Sequence, residues 1–321
     1  MDAGKVKRLR AVPPKKKTPE TSELLFSDHG LSPIQTRLVN ASHDIAMNDP
    51  EGITYHHTVF CQTGLPYRNP GENVRLWEHK QGKAILEVSA GRVINPSTFE
   101  FVNVGLPFGP KPRLILTHLN SQALKTGSPV IEVESSLTAF VKRLGLDGNG
   151  RDIRSIKDHL SRLSAATIRI GFVAENRAVQ VNTQIVKAFD LWFQKNDRQR
   201  VLWPSTVQLS DDYFQSLVNH AVPLDERAVS ALSHSAMALD VYAWLAQRLH
   251  RLKQPQFITW VALKEQFGYH YDRMRDFNRV FRHTLMIVHS QYPDARFQIN
   301  GKGMTLQHSP PPVRSRFHRP S

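Results

Sequence analysis

Residues 273–283 read Arg-Met-Arg-Asp-Phe-Asn-Arg-Val-Phe-Arg-His. On a helix, Arg275, Arg279 and Arg282 stand at i, i+4 and i+7, so they share one face with no acid between them on that arc. A guanidinium is a planar fork of donors that bonds guanine O6 and N7 together, or a phosphate, which a lysine point charge does less selectively. Arg273, Asn278 and His283 flank the same row. A second set, Arg151, Arg154, Ser155, Lys157 and Arg162, lies earlier in the chain, with Asp158 tempering it. The chemistry on offer is recognition of a duplex rather than the making or breaking of bonds.

To present such rows, each segment must be a helix that buries its opposite side. Ile153, Ile156, Leu160 and Leu163 form an apolar stripe on a helix from about Asp152 to Ala165, and Met274, Phe277, Phe281, Leu285 and Val288 form one on a helix from about Asp272 to Ser290. The surroundings of the two helices repeat. The first copy reads as a helix over Arg113–Leu124, a strand Val130–Val133, a helix capped by Ser136 and closed at Gly145, the cationic helix, and strands Thr167–Phe172 and Ala178–Thr183. The second reads as a helix over Ala236–Leu252, a strand at Phe257-Ile258, a helix capped by Thr259 and ended before Gly268, the cationic helix, and strands Ala295–Ile299 and Met304–Gln307 around an Asn300-Gly301 turn.

Helix, strand, helix, helix, hairpin is the element order of a winged helix. The expected fold is therefore α+β, with two tandem winged-helix (winged helix-turn-helix) domains, a β-rich N-terminal extension and disordered basic tails. The boundaries expected are a basic, largely disordered tail and linker over 1–50, a first domain with its β-rich extension over 51–190, a second domain over 191–308, and a disordered tail over 309–321. On the hairpins, Arg169 should face outward, Arg177 should sit near the first tip and Lys302 at the second, where cations reach phosphates or the minor groove. For the first cationic helix a solvated face held by ion pairs competes with a DNA face, because Asp152 and Asp158 offer partners within the helix.

The 321 residues carry 42 Lys+Arg against 28 Asp+Glu, a formal charge of +14. Residues 1–20 and 309–321 account for +8 of it, leaving +6 for everything between, so charge alone is a weak argument and its placement has to carry the case. There is no run of apolar residues long enough for a membrane span, and the basic N-terminus is not followed by an apolar stretch; a soluble, cytoplasmic protein is expected. Cys61 is the single cysteine, which excludes an internal disulfide and a zinc site of several thiolates. No phosphate-binding loop and no H-E-x-x-H motif occurs. In Tyr55-His56-His57 the histidines are adjacent, so on a strand they point to opposite faces and cannot share a metal. No enzymatic activity, cofactor or metal is expected.

Leu106-Pro107-Phe108-Gly109-Pro110-Lys111-Pro112-Arg113-Leu114-Ile115-Leu116, followed by the blocks 137–146 (LTAFVKRLGL) and 150–163 (GRDIRSIKDHLSRL), resembles the RepA-type plasmid replication initiators of Gram-negative bacteria. The likeness runs over about residues 55–295. It implies binding to repeated origin sites (iterons) in double-stranded DNA, bending, help in opening an adjacent A·T-rich stretch, and recruitment of the host replication initiator and replicative helicase. It also implies a homodimer through the first winged-helix domain that represses the initiator's own promoter. A transcriptional repressor with the same reading heads, an origin-nicking nuclease using Tyr55, Tyr67 or Tyr271, and a nonspecific nucleic-acid binder acting through its tails are the competing readings.

Overall fold

The computed structural model describes residues 31–95, 98–132, 137–174, 177–183, 185–188 and 206–313. Residues 1–30 and 314–321, the Ser136 cap and the tip of the first hairpin lie outside the described residues, while the tail expected from 309 begins inside the fold: Ser309 is buried and accepts from the Arg296 N–H at 2.9 Å, and the Tyr292 hydroxyl donates to the Pro310 carbonyl at 2.6 Å.

The chain enters through helix α1 (Pro33–Met47), where the sequence reading placed a disordered linker. The correction has a local cause. Ser32 accepts from the Gln35 backbone N–H, the Gln35 side chain accepts from the Ser32 N–H, and Pro33 supplies a preset φ at the first helical position, a complete capping box. Strand β1 (Ile53–His57) and helix α2 (Thr58–Gln62) follow, then β2 (Leu76–Gln81), β3 (Ala84–Ser89), β4 (Arg92–Asn95) and β5 (Glu100–Asn103), all within the stretch expected to be β-rich.

Two sets of elements then follow in the order expected. The first comprises α3 (Pro110–Thr126), β6 (Val130–Glu132), α4 (Leu137–Arg143), α5 (Gly150–Ala165), β7 (Thr167–Ala174) and β8 (Arg177–Thr183). Between the sets stand β9 (Val186–Ala188), β10 (Thr206–Leu209), α6 (Asp211–His220), β11 (Ala221–Asp225) and α7 (Glu226–Ala231). The second set comprises α8 (Ala236–Arg248), β12 (Gln256–Thr259), α9 (Trp260–Phe267), α10 (Met274–Gln291), β13 (Phe297–Ile299) and β14 (Gly303–Leu306).

The pairing of strands separates the two sets. In the second, β12 pairs with β14 and β14 with β13, all antiparallel, so the leading strand joins its own hairpin. In the first, β3 pairs with β7 and builds a four-stranded sheet ordered β2-β3-β7-β8, while β6 turns away to pair with β10. The N-terminal extension thus completes the first hairpin's sheet. The glycines that align in the two sets also work differently: Gly145 has φ +74°, a left-handed turn that a side chain would strain, whereas a Cβ on Gly268 would overlap the Phe277 ring.

One continuous apolar core runs through both sets. Across it, β1 pairs antiparallel with β11, and helix α8 is buried along nearly its whole length. At its centre the Arg113 guanidinium of α3 meets the Asp240 carboxylate of α8 through two bonds, Nε to Oδ1 at 2.6 Å and Nη2 to Oδ2 at 2.8 Å. Its remaining donors reach the carbonyls of Gly109 at 2.7 Å, Leu65 at 2.7 Å and Pro66 at 3.4 Å. Burial disfavours the charged form of Arg113, but the neighbouring Asp240 carboxylate more than offsets it, so the guanidinium pKa is raised and the cation is retained. Gly64 is needed beside this pair, since a Cβ there would lie 2.7 Å from Asp240 Oδ2.

Removing one partner leaves the other charge buried and unpaired. Arg113→Ala should therefore lower the free energy of urea unfolding by about 3–5 kcal/mol. The double variant Arg113→Met with Asp240→Leu should cost less than either single change, and a double variant that costs the sum of the two would refute the coupling.

Candidate nucleic-acid interface

Helix α10 begins after Arg273 and buries Phe277, Phe281, Leu285 and Val288 at no more than 1% exposure, with Met274 partly buried at its start. This is the apolar stripe read from the sequence. Arg273, Arg275, Arg279 and His283 are exposed on the other side. Among the described residues, none of these three arginines has an ion-pair partner. Arg282 is held differently: its guanidinium lies 4.6 Å from the centre of the Trp260 ring and donates to the Asn300 carbonyl at 3.0 Å. It ties α10 to the hairpin. Asn278 is half-buried and its side-chain oxygen has no partner among the described residues.

The hairpin itself is built by Asn300, whose side chain accepts from the backbone N–H groups of Lys302 at 2.8 Å and Gly303 at 2.9 Å. Trp260 donates through Nε1 to the Asn300 carbonyl at 3.1 Å. Lys302 is exposed at this turn, beside Gly301. The turn is thus anchored to α9 and α10 while its cation faces solvent.

Helix α5 starts at Asn149, whose side chain accepts from the N–H groups of Arg151 and Asp152. Ile156, Leu160 and Leu163 are buried, with Ile153 partly so. Arg151, Arg154 and Lys157 are exposed and Ser155 is half-buried. The acids divide as follows. Asp152 binds Lys111 of α3 at 2.8 Å rather than a cation of its own helix. Asp158 binds Arg162 at 2.8 Å, and Arg162 also reaches Glu72 at 3.6 Å, the Leu106 carbonyl at 3.3 Å and the face of Phe108 at 5.3 Å. Arg162 is therefore engaged inside the fold, as the competing ion-paired reading had it, while Arg151, Arg154 and Lys157 have no ion pair among the described residues.

Arg169 does face outward from β7, and its register partner across the sheet is Glu87 of β3, with which it forms an ion pair. Arg177 opens β8 opposite Ala174, which places it next to the turn; its side chain lies outside the described residues. Sequence reasoning missed Arg113, Asp240, Lys111 and Trp260, which position the elements of the candidate interface. Of these only Trp260 carried a signal, since it directly follows the expected cap Thr259.

The two adjacent histidines weighed as metal ligands, His56 and His57, are held inside the fold. His57 accepts the Val59 N–H on Nδ1 at 3.2 Å, so the neutral ring carries its proton on Nε2, which donates to Ser216 Oγ at 3.0 Å. A ring in that tautomer cannot take the serine's proton. His56 is also buried, and no group of histidine, cysteine or carboxylate side chains among the described residues is arranged to hold a metal ion. No helix among the described residues is long and apolar enough to cross a membrane.

The geometry defines a mixed α/β protein with two similar sets of elements, each holding a helix that turns cations outward. Residues 106–262 match the family described as plasmid encoded RepA protein. The match falls on the stretch whose residues resemble the RepA-type plasmid replication initiators. No curated protein matches it. Two solved structures are similar in shape. One is of selenomethionine derivatives of domains 2 and 3 of RctB, at 11% identity over 70% of this chain and 82% of that one, with a TM-score of 0.45. The other is of RctB domains 2–3, at 10% identity over 76% of this chain and 92% of that one, with a TM-score of 0.44.

Two outcomes are expected. Arg162→Gln should cost about 1 kcal/mol of stability through lost packing and ion pairs, whereas Arg154→Gln should stay within about 0.5 kcal/mol, both read by thermal or urea unfolding. Burial is the main cause that lowers four histidines, His56 and His57 to about 3 and His118 and His159 to about 4. The unfolded chain binds protons on these groups near pH 6.5 and the folded one does not, so stability should fall as the pH drops from about 6.5 toward 4, by up to about 1.4 kcal/mol per pH unit for each histidine. Stability that rises on acidification would contradict the assignment.

Proposed function

We propose that this chain is a replication initiator that binds repeated sites in a plasmid origin as a double winged-helix protein. In this reading α10 and α5 enter successive major grooves, and the hairpin turn bearing Lys302 lies against the sugar-phosphate backbone. The observation that carries it is the face of α10: Arg275 and Arg279 stand one turn apart, exposed and without a carboxylate partner among the described residues, over a helix whose other side is locked into the core. A structural ion-pair face would have spent those cations on acids of the chain.

On the same reading the chain catalyses nothing. Its contribution to opening the origin is binding energy: bending a site of 20–30 base pairs costs on the order of 1–10 kcal/mol, which several bound copies supply through added contacts. The host initiator, the replicative helicase and a homodimer through the first set of elements are the partners this role calls for.

Arg275→Ala and Arg279→Ala should each weaken binding to an origin repeat by about 1–3 kcal/mol in fluorescence anisotropy, with much less effect on random duplex. Equal loss on both duplexes would reduce these residues to phosphate contacts. A minimal plasmid bearing the origin, maintained without the protein, would refute the initiator role and leave a repressor.

A further inference from the structure

The two cationic helices are joined at their N-terminal ends by a path of side-chain contacts that passes through the first turn of α3. Asp152, in the first turn of α5, binds Lys111 in the first turn of α3. Two residues on, Arg113 places its guanidinium 5.1 Å from the centre of the Tyr67 ring while it holds Asp240 and the carbonyls of Leu65, Pro66 and Gly109. Tyr67 stacks on Tyr269, ring centres 5.4 Å apart and planes 21° apart, and its backbone N–H donates to the Tyr269 hydroxyl at 2.7 Å. That hydroxyl donates in turn to the Leu65 carbonyl that Arg113 Nη2 also holds. Tyr269 belongs to the turn between α9 and α10, four residues before Arg273.

The segment 64–67 is saturated from both sides. Gly64 donates to His79 Nδ1 at 2.8 Å and accepts from Trp77 Nε1 at 2.9 Å, both from β2, and Trp77 also packs on Tyr269 at 4.8 Å. Nothing in this path uses a flexible exposed side chain as its only connection. A segment before the first set therefore grips the turn that aims the second cationic helix.

We infer that Tyr269, seated on Tyr67, is a positioning residue that fixes the offset between α5 and α10 and so makes the protein selective for the spacing of two half-sites. This inference rests on the DNA-binding role proposed above. The N-terminal residues of a recognition helix meet the base edges, so an offset fixed there is read as groove separation. One inserted base pair moves a half-site by about 3.4 Å and turns it by about 35°, more than a locked pair of helices tolerates.

The test uses the full chain and a duplex selected from a random library by the wild-type protein, together with the same duplex carrying one inserted or deleted base pair between the half-sites. For the wild type the altered spacing should weaken binding by about tenfold or more, the size of one mismatched contact. Tyr269→Ala should shrink that penalty to about threefold or less, largely by binding the altered sites better relative to the selected one. Tyr269→Phe, which keeps the stack and removes the hydroxyl, should fall between, and it serves if Tyr269→Ala does not fold. Leu209→Ala, a core change away from this path, should lower stability and leave the penalty intact. A penalty unchanged in both Tyr269 variants, or a wild type indifferent to spacing, overturns the inference. A wild type that selects no sequence at all instead refutes the DNA-reading role on which it rests.

Discussion

A buried guanidinium organises this protein. Arg113 and Asp240 stand on two helices that the order of elements would assign to separate halves of the chain, and each charge is tolerable inside only because the other is there. Because every donor of Arg113 is taken, the pair also gathers the loop at 64–67 and the start of α3 around it. Such a pair is weak evidence for stability. It is better evidence for uniqueness, since any sliding of α3 against α8 would strand a charge in an apolar core.

The consequence is that two sets of similar elements form one folded body. The strand pair β1–β11, the α8 helix buried along nearly its whole length, and the continuous core all point the same way. Helix α1 adds a further brace: Arg37 donates to the Gly145 carbonyl at 3.2 Å, Gln291 donates to the Leu38 carbonyl at 3.0 Å, and Arg227 binds Asp44 at 2.9 Å. It touches the turn before α5 and the end of α10 at once. For a protein proposed to read two grooves, a fused scaffold is a physical advantage, because the ordering cost of aligning two heads is met during folding rather than on binding.

The cations themselves fall into two groups that composition does not distinguish. Arg162, Arg169 and Arg282 are engaged by acids, carbonyls or rings of the chain, while Arg151, Arg154, Lys157, Arg273, Arg275 and Arg279 are exposed without such ion pairs among the described residues. Helical spacing puts members of both groups on the same arc. What separates them is the neighbouring element, such as the Asn300 turn beside Arg282 or β3 beside Arg169.

Local physics made the elements legible. The apolar stripes of α5 and α10, the Thr259 cap, the Gly145 turn and the Asn300-Gly301 hairpin each depend on residues within a few positions, so periodicity and capping preferences sufficed to place them. The capping box that starts α1 was equally local and was overlooked in a polar stretch. Pairings between distant residues were not legible: that β3 rather than β6 flanks the first hairpin, that Arg113 turns inward to Asp240, and that Tyr269 lands on Tyr67. An arginine two residues into a helix looks like any surface cation until a carboxylate 127 positions away arrives beside it, and only the tertiary fold brings the two together.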